Sequence, residues 1–340
     1  MNESLLRVEH LVKHFPMKAQ TFWGDRQYVH AVDDVSLDVR RGETLGLVGE
    51  TGCGKSTLAR CIVRLENPTS GRVIFDGHDI TSASEDELRS YRQQMQMVFQ
   101  DPYSSLNPRR RVGSIIGDPF GIHGVASGTE RKRRVQELMD LVGLNPEHYN
   151  RFPGQFSGGQ RQRIGIARAI ALKPRLLVCD EPVSALDVSI RAQILNLLAD
   201  LQKELGLTIL FISHDLSVVR HVSDRIAVMY LGKVAEIASA EALFDHARHP
   251  YTRALLSAIP IADPDLDAAR EQIVLSGDPP SPIEPPPACR FHPRCPRAET
   301  MCAVEEPALI ARLSDREDHP AACHFPVKDG ESVAAAGKPS

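Results

Sequence analysis

Short apolar segments alternate with amphipathic segments through the middle of the chain. The runs Thr44–Val48, Leu176–Cys179 and Leu207–Ile212 have the length and the branched aliphatic content of buried strands. Helical spacing of apolar positions predicts helices at residues 56–65, 160–171, 189–204 and 216–221. Because strands that alternate with helices form a parallel sheet covered by helices, the pattern predicts an α/β fold.

The same patterning predicts further strands and helices elsewhere in the chain. Alternating or apolar runs predict strands at residues 5–12, 29–39 and 72–75, and a hairpin at residues 225–238. Between the first two strands, residues 17–27 are predicted to be an inserted loop. Helices are predicted at residues 85–97 and 129–142, with Gly- and Pro-containing chain between them.

The composition changes after about residue 262. Residues 278–287, DPPSPIEPPP, are proline-dense and are predicted to be extended rather than helical. From about residue 327 onward the composition predicts a disordered end. We therefore predict two parts, residues 1–262 and 263–340, which is consistent with a length of 340 residues.

Charge and hydropathy argue against several classes of protein. With 40 basic and 44 acidic side chains, the formal charge of -4 argues against binding to nucleic acid through bulk positive charge. Apolar runs fall short of the roughly 18 residues of a membrane span, and the first residues lack the pattern of a secretory signal. We expect a cytoplasmic protein with reduced thiols, which reaches a membrane only by binding a partner there.

Residues 49–56, GETGCGKS, match the phosphate-binding pattern G-x-x-x-x-G-K-[ST] between a predicted strand and a predicted helix. In that context the backbone N–H groups and the helix N-terminus can bind phosphate oxygens. Lys55 is predicted to reach the β- and γ-phosphates, and Ser56 to ligate Mg²⁺. The alternative is a glycine-rich turn with a surface lysine. Cys53 is either a reactive thiol, activated by Lys55 and the helix end, or a small residue that the loop tolerates.

Two adjacent carboxylates end the second apolar strand. At the carboxyl end of a parallel strand, Asp180 can hold the Mg²⁺ water shell, and Glu181 can polarise an attacking water as a general base. His214 follows the third apolar strand, where it can contact the γ-phosphate or have a structural role. Together with the phosphate loop, these residues predict a P-loop ATPase.

The pentapeptide at residues 156–160, FSGGQ, narrows the choice of family. It resembles the signature motif of ATP-binding cassette (ABC) ATPases, and the other motifs follow in the order of that family. Gln100 resembles the Q-loop glutamine, residues 184–187 the D-loop, and residues 213–215 the H-loop. Phe15 lies where the family has the aromatic residue that stacks on adenine.

The resemblance implies a RecA-like core, a helical signature subdomain at about residues 88–160 that contacts membrane subunits, and a head-to-tail ATPase pair with ATP at the interface. It assigns hydrolysis to Glu181, His214 and Gln100, and Mg²⁺ to Ser56, Gln100 and Asp180. The residues that it implies for ATP, from one subunit or across the interface, are Phe15, Gly49, Glu50, Thr51, Gly52, Cys53, Gly54, Lys55, Ser56, Thr57, Ser157, Gly158, Gly159, Gln160 and Asp187.

A narrower resemblance covers nearly the whole chain. Residues 102–113, 249–260 and 275–295 are similar to the ATPase subunits of bacterial dipeptide and oligopeptide ABC importers. This family pairs two different ATPase chains with two integral membrane permease subunits and an extracytoplasmic peptide-binding protein. The resemblance therefore implies a peripheral protein at the cytoplasmic face of the inner membrane, with no nucleic acid partner. Nickel or glutathione as cargo, and a non-transport ABC ATPase clamp, are the alternatives.

Four of the seven cysteines lie close together in the C-terminal part, at Cys289, Cys295, Cys302 and Cys323. They contain no C-x-x-C pair, so they fit zinc ribbons poorly, and disulfides are not expected in the cytosol. Four thiolates can hold a [4Fe–4S] cluster, whereas a zinc site could also recruit His292, His319 or His324. Resemblance to peptide-importer ATPases with this cysteine pattern favours the cluster, in a structural or redox-regulatory role.

Overall fold

The computed structural model describes residues 3–17, 26–101, 105–260, 272–312, 319–331 and 333. The strands are β1 (Ser4–Pro16), β2 (Tyr28–Arg40), β3 (Thr44–Val48), β4 (Ser70–Phe75), β5 (His78–Asp79), β6 (Met95–Val98), β7 (Leu176–Asp180), β8 (Thr208–Ser213), β9 (Arg225–Tyr230) and β10 (Lys233–Ser239). The helices are α1 (Lys55–Ile62), α2 (Glu85–Gln94), α3 (Val112–Ile122), α4 (Gly128–Leu141), α5 (Gly158–Ile170), α6 (Val188–Leu205), α7 (Leu216–Val222), α8 (Ala240–His246) and α9 (Pro250–Ser257). Across the described ranges, no helix combines the length and the apolar character that a membrane span requires.

The chain folds into two compact units, each built from segments that are discontinuous in sequence. The first unit comprises Met1–Leu6, Asp38–Thr44 and Phe75–Ser213. The second unit comprises Arg7–Leu37, Leu45–Ile74 and His214–Ser340. The predicted boundary at 262/263 falls within residues 261–271, which lie outside the described residues, so the division into 1–262 and 263–340 stays a prediction.

In the first unit, β6, β7 and β8 form adjacent parallel strands, and Leu176 of β7 pairs with both Met95 and Thr208. Every residue of β7 and β8 is buried. Helix α3 packs on α4 and α5, and α5 also contacts β6 and α6. Two-sided burial accounts for the continuous apolar sequences of these strands.

In the second unit, β3 runs parallel to β9, and β9 pairs with β10 in an antiparallel hairpin. In another sheet, β1 lies between β2 and β4. The unit therefore combines parallel and antiparallel pairing, and the predicted α/β class is confirmed as an arrangement of mixed sheets with helices. The predicted hairpin at residues 225–238 is also confirmed.

Two stretches of the first unit differ from the sequence prediction. A single helix is predicted over residues 85–97, but α2 ends at Gln94 and β6 begins at Met95. Parallel pairing with β7 buries Met95, Met97 and Val98, and this tertiary contact overrides the local helical pattern. Helix α3 is not predicted because three glycines and Pro119 interrupt its sequence; packing on α4 and α5 compensates for their low helix propensity.

Candidate nucleotide site

The phosphate loop, residues 49–56, lies in the second unit between the buried strand β3 and helix α1. Lys55 is only 4% exposed, and its Nζ donates to the carbonyl oxygens of Gly49 and Glu50 at 2.7 and 2.9 Å. Ser56 and Thr57 follow in the first turn of α1, half-buried. The loop thus holds its lysine inward, against its own backbone.

Two glycines fix the course of this loop. Gly49 has a φ of 156°, and a Cβ there would lie 2.1 Å from the carbonyl oxygen of Met229. Gly54 caps α1 with a φ of 107°, and a Cβ there would lie 1.9 Å from the carbonyl oxygen of Ala31. Both positions exclude a side chain because the conformation and the space each forbid one. Thr51 and Gly52 lie exposed at the tip between them.

Cys53 is buried within the loop, with its Sγ 3.7 Å from the Lys55 Nζ. Burial raises the pKa of this thiol, and the nearby Lys55 cation opposes the shift without overcoming it. A thiol with a raised pKa is a weak nucleophile. The structure therefore favours Cys53 as a small residue that fits the loop.

Glu50, the second residue of the loop, is held by both its side chain and its backbone. The Arg294 guanidinium lies 3.0 and 3.1 Å from the two carboxylate oxygens of Glu50. The backbone N–H of Glu50 donates to the Tyr251 hydroxyl at 3.0 Å. No local motif predicts Arg294 or Tyr251, because they lie 244 and 201 residues from Glu50.

The acidic strand end lies in the first unit. Asp180 is 2% exposed at the end of β7, and Glu181 is half-buried beyond it. The side-chain amide of Gln100 donates to a Glu181 carboxylate oxygen at 3.0 Å. The structure thus brings together two of the three predicted catalytic residues, on loops that follow the neighbouring parallel strands β6 and β7.

The predicted signature motif is the N-terminus of α5. Ser157 caps this helix by accepting from the Gln160 N–H at 3.3 Å, and the Gln160 side chain accepts from the Ser157 N–H at 3.0 Å. Ser157 and Gln160 are exposed, Gly158 is half-buried and Gly159 is buried. Such an end presents backbone N–H groups and a hydroxyl that can bind an anion.

The remaining predicted residues are Asp187, Phe15 and His214. Asp187 is exposed and precedes α6, next to Val188, whose exposed fraction is 80%. Phe15 is half-buried in β1, with the Lys13 Nζ 4.6 Å from its ring centre. His214 is exposed at the start of the second unit's third segment. The predicted site draws on residues from both units, and its assembly stays a prediction.

The four C-terminal cysteines line one small cavity, together with the rings of Phe291 and Phe325. Burial, followed by the neighbouring thiols, raises the pKa of Cys289, Cys295 (to about 11) and Cys323 (to about 12). In the described part of the chain, no three of these sulfurs lie within 4.8 Å of one another. The cysteines thus share a cavity but do not form a closed metal-ligand set.

His14, His30 and Asp33 form a second group of potential ligands, with ligand atoms within 4.8 Å of one another. The Arg290 guanidinium donates to the same Asp33 carboxylate. The Arg290 cation already neutralises the Asp33 carboxylate, whose negative charge a divalent metal would need. We therefore assign no metal to the group.

Comparison with known families gives two matches along the chain. Residues 32–184 match the family model for ABC transporters, and residues 235–302 match the model for the C-terminal region of oligopeptide/dipeptide transporters. The first match includes the phosphate loop, the signature motif and the acidic strand end. The second includes Arg294 and three of the four C-terminal cysteines.

Relatives match over almost the full chain. A probable peptide ABC transporter ATP-binding protein, y4tS of Sinorhizobium fredii, is 52% identical over 95% of this chain and 90% of its own length. The oligopeptide transport ATP-binding protein AppF of Bacillus subtilis is 51% identical over 95% of this chain and 98% of its own length.

Solved structures give the same fold. The ATP-binding cassette MJ0796, determined as a dimer bound to ADP and phosphate, is 31% identical with a TM-score of 0.62, over 69% of this chain and 98% of its own. The protein cbiO1 of Clostridium perfringens, part of an ABC transporter complex, is 28% identical with a TM-score of 0.60, over 72% of this chain and 91% of its own. This chain therefore has the ABC ATPase fold and belongs to the family of ATP-binding subunits of oligopeptide/dipeptide ABC transporters.

Proposed function

We propose that this chain is the ATP-hydrolysing subunit of a bacterial ABC importer whose cargo is di- or oligopeptides. The observation that carries the proposal is the pair of relatives above, 52% and 51% identical over 95% of the chain, which are named for peptide and oligopeptide transport. The match of residues 235–302 to the C-terminal region of the same transporters supports it.

Each predicted residue would have a role in ATP hydrolysis that follows from its chemistry. Lys55 and backbone N–H groups of the phosphate loop would bind the phosphates, and Phe15 would stack on adenine. Ser56, Gln100 and Asp180 would hold Mg²⁺, which prefers the oxygen donors that these side chains supply and which neutralises phosphate charge when bound. Glu181 would accept a proton from the attacking water, and His214 would contact the γ-phosphate. The bond between Gln100 and Glu181 supports a shared role for these two residues.

A second ATPase subunit would complete each nucleotide site in this proposal. Ser157, Gly158, Gly159, Gln160 and Asp187 would contact ATP across that interface. Ser157 and Gln160 at the N-terminus of α5 and Asp187 before α6 are exposed, which supports this assignment because a group that contacts ATP across an interface must be accessible. The helical subdomain at about residues 88–160 would contact two permease subunits at the inner face of the cytoplasmic membrane, and an extracytoplasmic binding protein would deliver the peptide.

The C-terminal extension would carry a metal centre in the same proposal. Thiolates around one zinc lie about 3.8 Å apart, as Zn–S bonds of about 2.3 Å in a tetrahedron require. Within the described chain no three cysteine sulfurs approach within 4.8 Å, which departs from the zinc spacing. The four cysteines that line one cavity are the residues that would hold a [4Fe–4S] cluster. Anaerobically purified protein should contain about four iron and four sulfide per chain. Colourless protein with one zinc and no iron would overturn this part of the proposal.

Reconstituted transport tests the cargo. Proteoliposomes that contain this chain, its partner ATPase and the two permeases should take up a labelled dipeptide when ATP is inside and the binding protein outside. Replacement of Glu181 by Gln should abolish uptake. Uptake of labelled nickel or glutathione in place of every tested peptide would overturn the proposed cargo while leaving the ATPase function intact.

A further inference from the structure

We propose that Arg294 positions and neutralises Glu50 of the phosphate loop, so that ATP affinity depends on the cysteine segment, residues 289–302. The proposal rests on the proposed nucleotide site and adds a residue from outside its motifs. Arg294 is a positioning residue here, because it acts through Glu50. The two residues and all the contacts below lie within the second unit.

The first link is the ion pair between Arg294 and Glu50. Arg294 is 9% exposed, and its guanidinium lies within 3.1 Å of both carboxylate oxygens and 3.4 Å from the Tyr230 hydroxyl. A charge-assisted contact between a buried guanidinium and a half-buried carboxylate is stronger than a surface ion pair. Loss of the arginine would leave a carboxylate uncompensated in the loop that receives the phosphates.

The second link reaches the backbone of the same residue. Phe291, 2% exposed, packs on Tyr230 and Tyr251 with ring centres 5.3 and 5.4 Å apart. Tyr251 is fully buried, and its hydroxyl accepts from the Glu50 N–H. The cysteine segment therefore reaches Glu50 by two routes, an ion pair to its carboxylate and an aromatic contact that supports its N–H partner.

The cysteine cavity adjoins both routes directly. Arg294 ends a short 3-10 helix, and Cys295 follows it, donating from its N–H to the His292 carbonyl at 3.3 Å. The Cys289 N–H donates to the Cys302 carbonyl at 3.1 Å, which closes the segment on itself. Because Cys295 directly follows Arg294 in the chain, we expect a shift of Cys295 in the cavity to displace the Arg294 guanidinium.

Electrostatics gives the direction of the effect. ATP brings several negative charges to the loop, and an uncompensated Glu50 carboxylate repels them. Arg294→Gln should therefore weaken ATP binding, whereas Glu50→Gln in the same chain removes the repelling charge and should restore it. A purely structural role for Arg294 predicts that the double variant binds as weakly as the single one.

Titration of the full chain with a fluorescent ATP analogue and Mg²⁺ tests the proposal. We expect the Kd to rise about tenfold in Arg294→Gln and to return to within about threefold of the wild type in Glu50→Gln/Arg294→Gln. Glu306→Gln is the matched control: it removes an ion pair between the extension and Lys233 of β10 and should leave the Kd unchanged. An unchanged Kd in Arg294→Gln, or a double variant as weak as the single one, overturns the proposal.

A second comparison tests the link to the cysteines. Cys295→Ser should raise the Kd in the wild-type background but have no effect in Glu50→Gln/Arg294→Gln. Equal increases in both backgrounds would overturn the link. Binding and hydrolysis of ATP by the wild type are measured in the same preparations, so failure of the proposed function is distinguished from failure of this inference.

Discussion

Glu181 has a backbone conformation that side-chain-bearing residues rarely adopt, with a φ of 46°. Its N–H donates to the Ile212 carbonyl at 3.0 Å, and its carbonyl accepts from the Ser184 hydroxyl at 3.1 Å. Left-handed backbone at a non-glycine residue costs about 1–3 kcal/mol and persists where surrounding contacts enforce it. In this conformation the Glu181 carboxylate accepts from the Gln100 side chain, and the proposed role of Glu181 as the base requires such a fixed position.

Replacement of Glu181 by Gln should separate binding from catalysis. Gln keeps the size of the side chain but cannot accept the proton, so we expect the ATP hydrolysis rate to fall by about 100-fold or more. The ATP dissociation constant should stay within about twofold. Phosphate release and equilibrium nucleotide binding on the same protein measure the two quantities.

Glu204→Gln is the control for this change, because Glu204 is an exposed glutamate in α6 with no predicted role. Its hydrolysis rate should match that of the wild type. Wild-type hydrolysis in Glu181→Gln would show that another group accepts the proton.

The sequence predicts individual residues only where a local motif contains them. Lys55 and Ser56 follow from a fixed spacing of glycines, and Asp180 and Glu181 from their place after an apolar strand. Arg294 and Tyr251 could not be predicted, since their contact with Glu50 depends on long-range folding. A local motif predicts contacts between residues that are close in sequence, but it does not predict contacts between distant ones.

Helix α5 offers an internal comparison between two of its glycines. A Cβ at Gly159 would lie 2.4 Å from the Cγ2 of Ile190 in α6, whereas a Cβ at Gly165 would meet nothing within 4 Å. Gly159→Ala should destabilise the protein by about 1–3 kcal/mol through overpacking. Gly165→Ala should stabilise it by about 0.5–1 kcal/mol, because alanine loses less backbone entropy in a helix. Urea unfolding of both variants measures the difference; equal stability would contradict the packing of α5 on α6.

Asp76 joins two segments of the first unit, since Arg41 and Arg175 both donate to its carboxylate. Hydrogen bonds from Arg175 and then Arg41 lower its pKa from 3.8 to about 2. A lowered folded-state pKa gives stability that is fully present above the unfolded pKa and is lost as the pH falls through the folded value. Asp76→Asn should therefore weaken the dependence of Tm on pH between about 4 and 2.

Thermal unfolding across this pH range, followed by circular dichroism, tests the role of Asp76. Asp200→Asn, on the exposed face of α6, is the control and should keep the wild-type profile. If Asp76→Asn also keeps that profile, the two arginines do not stabilise the ionised carboxylate.

Apolar patterning predicts most strands and helices, but it does not predict the segments whose secondary structure is determined by tertiary contacts. The strand at Met95–Val98 continues a helical pattern, and only its pairing with β7 identifies it. Helix α3 has glycines and Pro119 in positions that disfavour a helix, and it is stabilised by its neighbours. Local propensity is too weak to decide such segments.

The C-terminal extension is bonded into the second unit at several points. Arg290 donates to the Leu231 carbonyl and to Asp33, and the Ala322 N–H donates to the Ala235 carbonyl of β10 at 2.8 Å. The proline-dense segment also participates, since the His30 N–H donates to the Pro282 carbonyl at 2.8 Å. These bonds indicate that the extension is an integral part of the unit.

Truncation after residue 260 should therefore destabilise the protein. It removes Phe291 from Tyr230 and Tyr251, which are 3% and 0% exposed, and uncovers their rings. We expect a lower Tm, poorer solubility and weaker ATP binding than in the full chain. Removal of residues 334–340 alone is the control. A chain truncated after residue 260 with the full Tm and ATP affinity would contradict the prediction.

The ion pair between Arg294 and Glu50 also sets an order of events during synthesis. The ribosome adds Glu50 244 residues before Arg294. At about 5–20 residues per second, this interval lasts roughly 10–50 s. Throughout this interval the phosphate loop lacks Arg294, and for most of it the loop also lacks Tyr251. In the proposed site, a nascent chain would therefore acquire its full affinity for ATP only after Arg294 has been synthesised and has paired with Glu50.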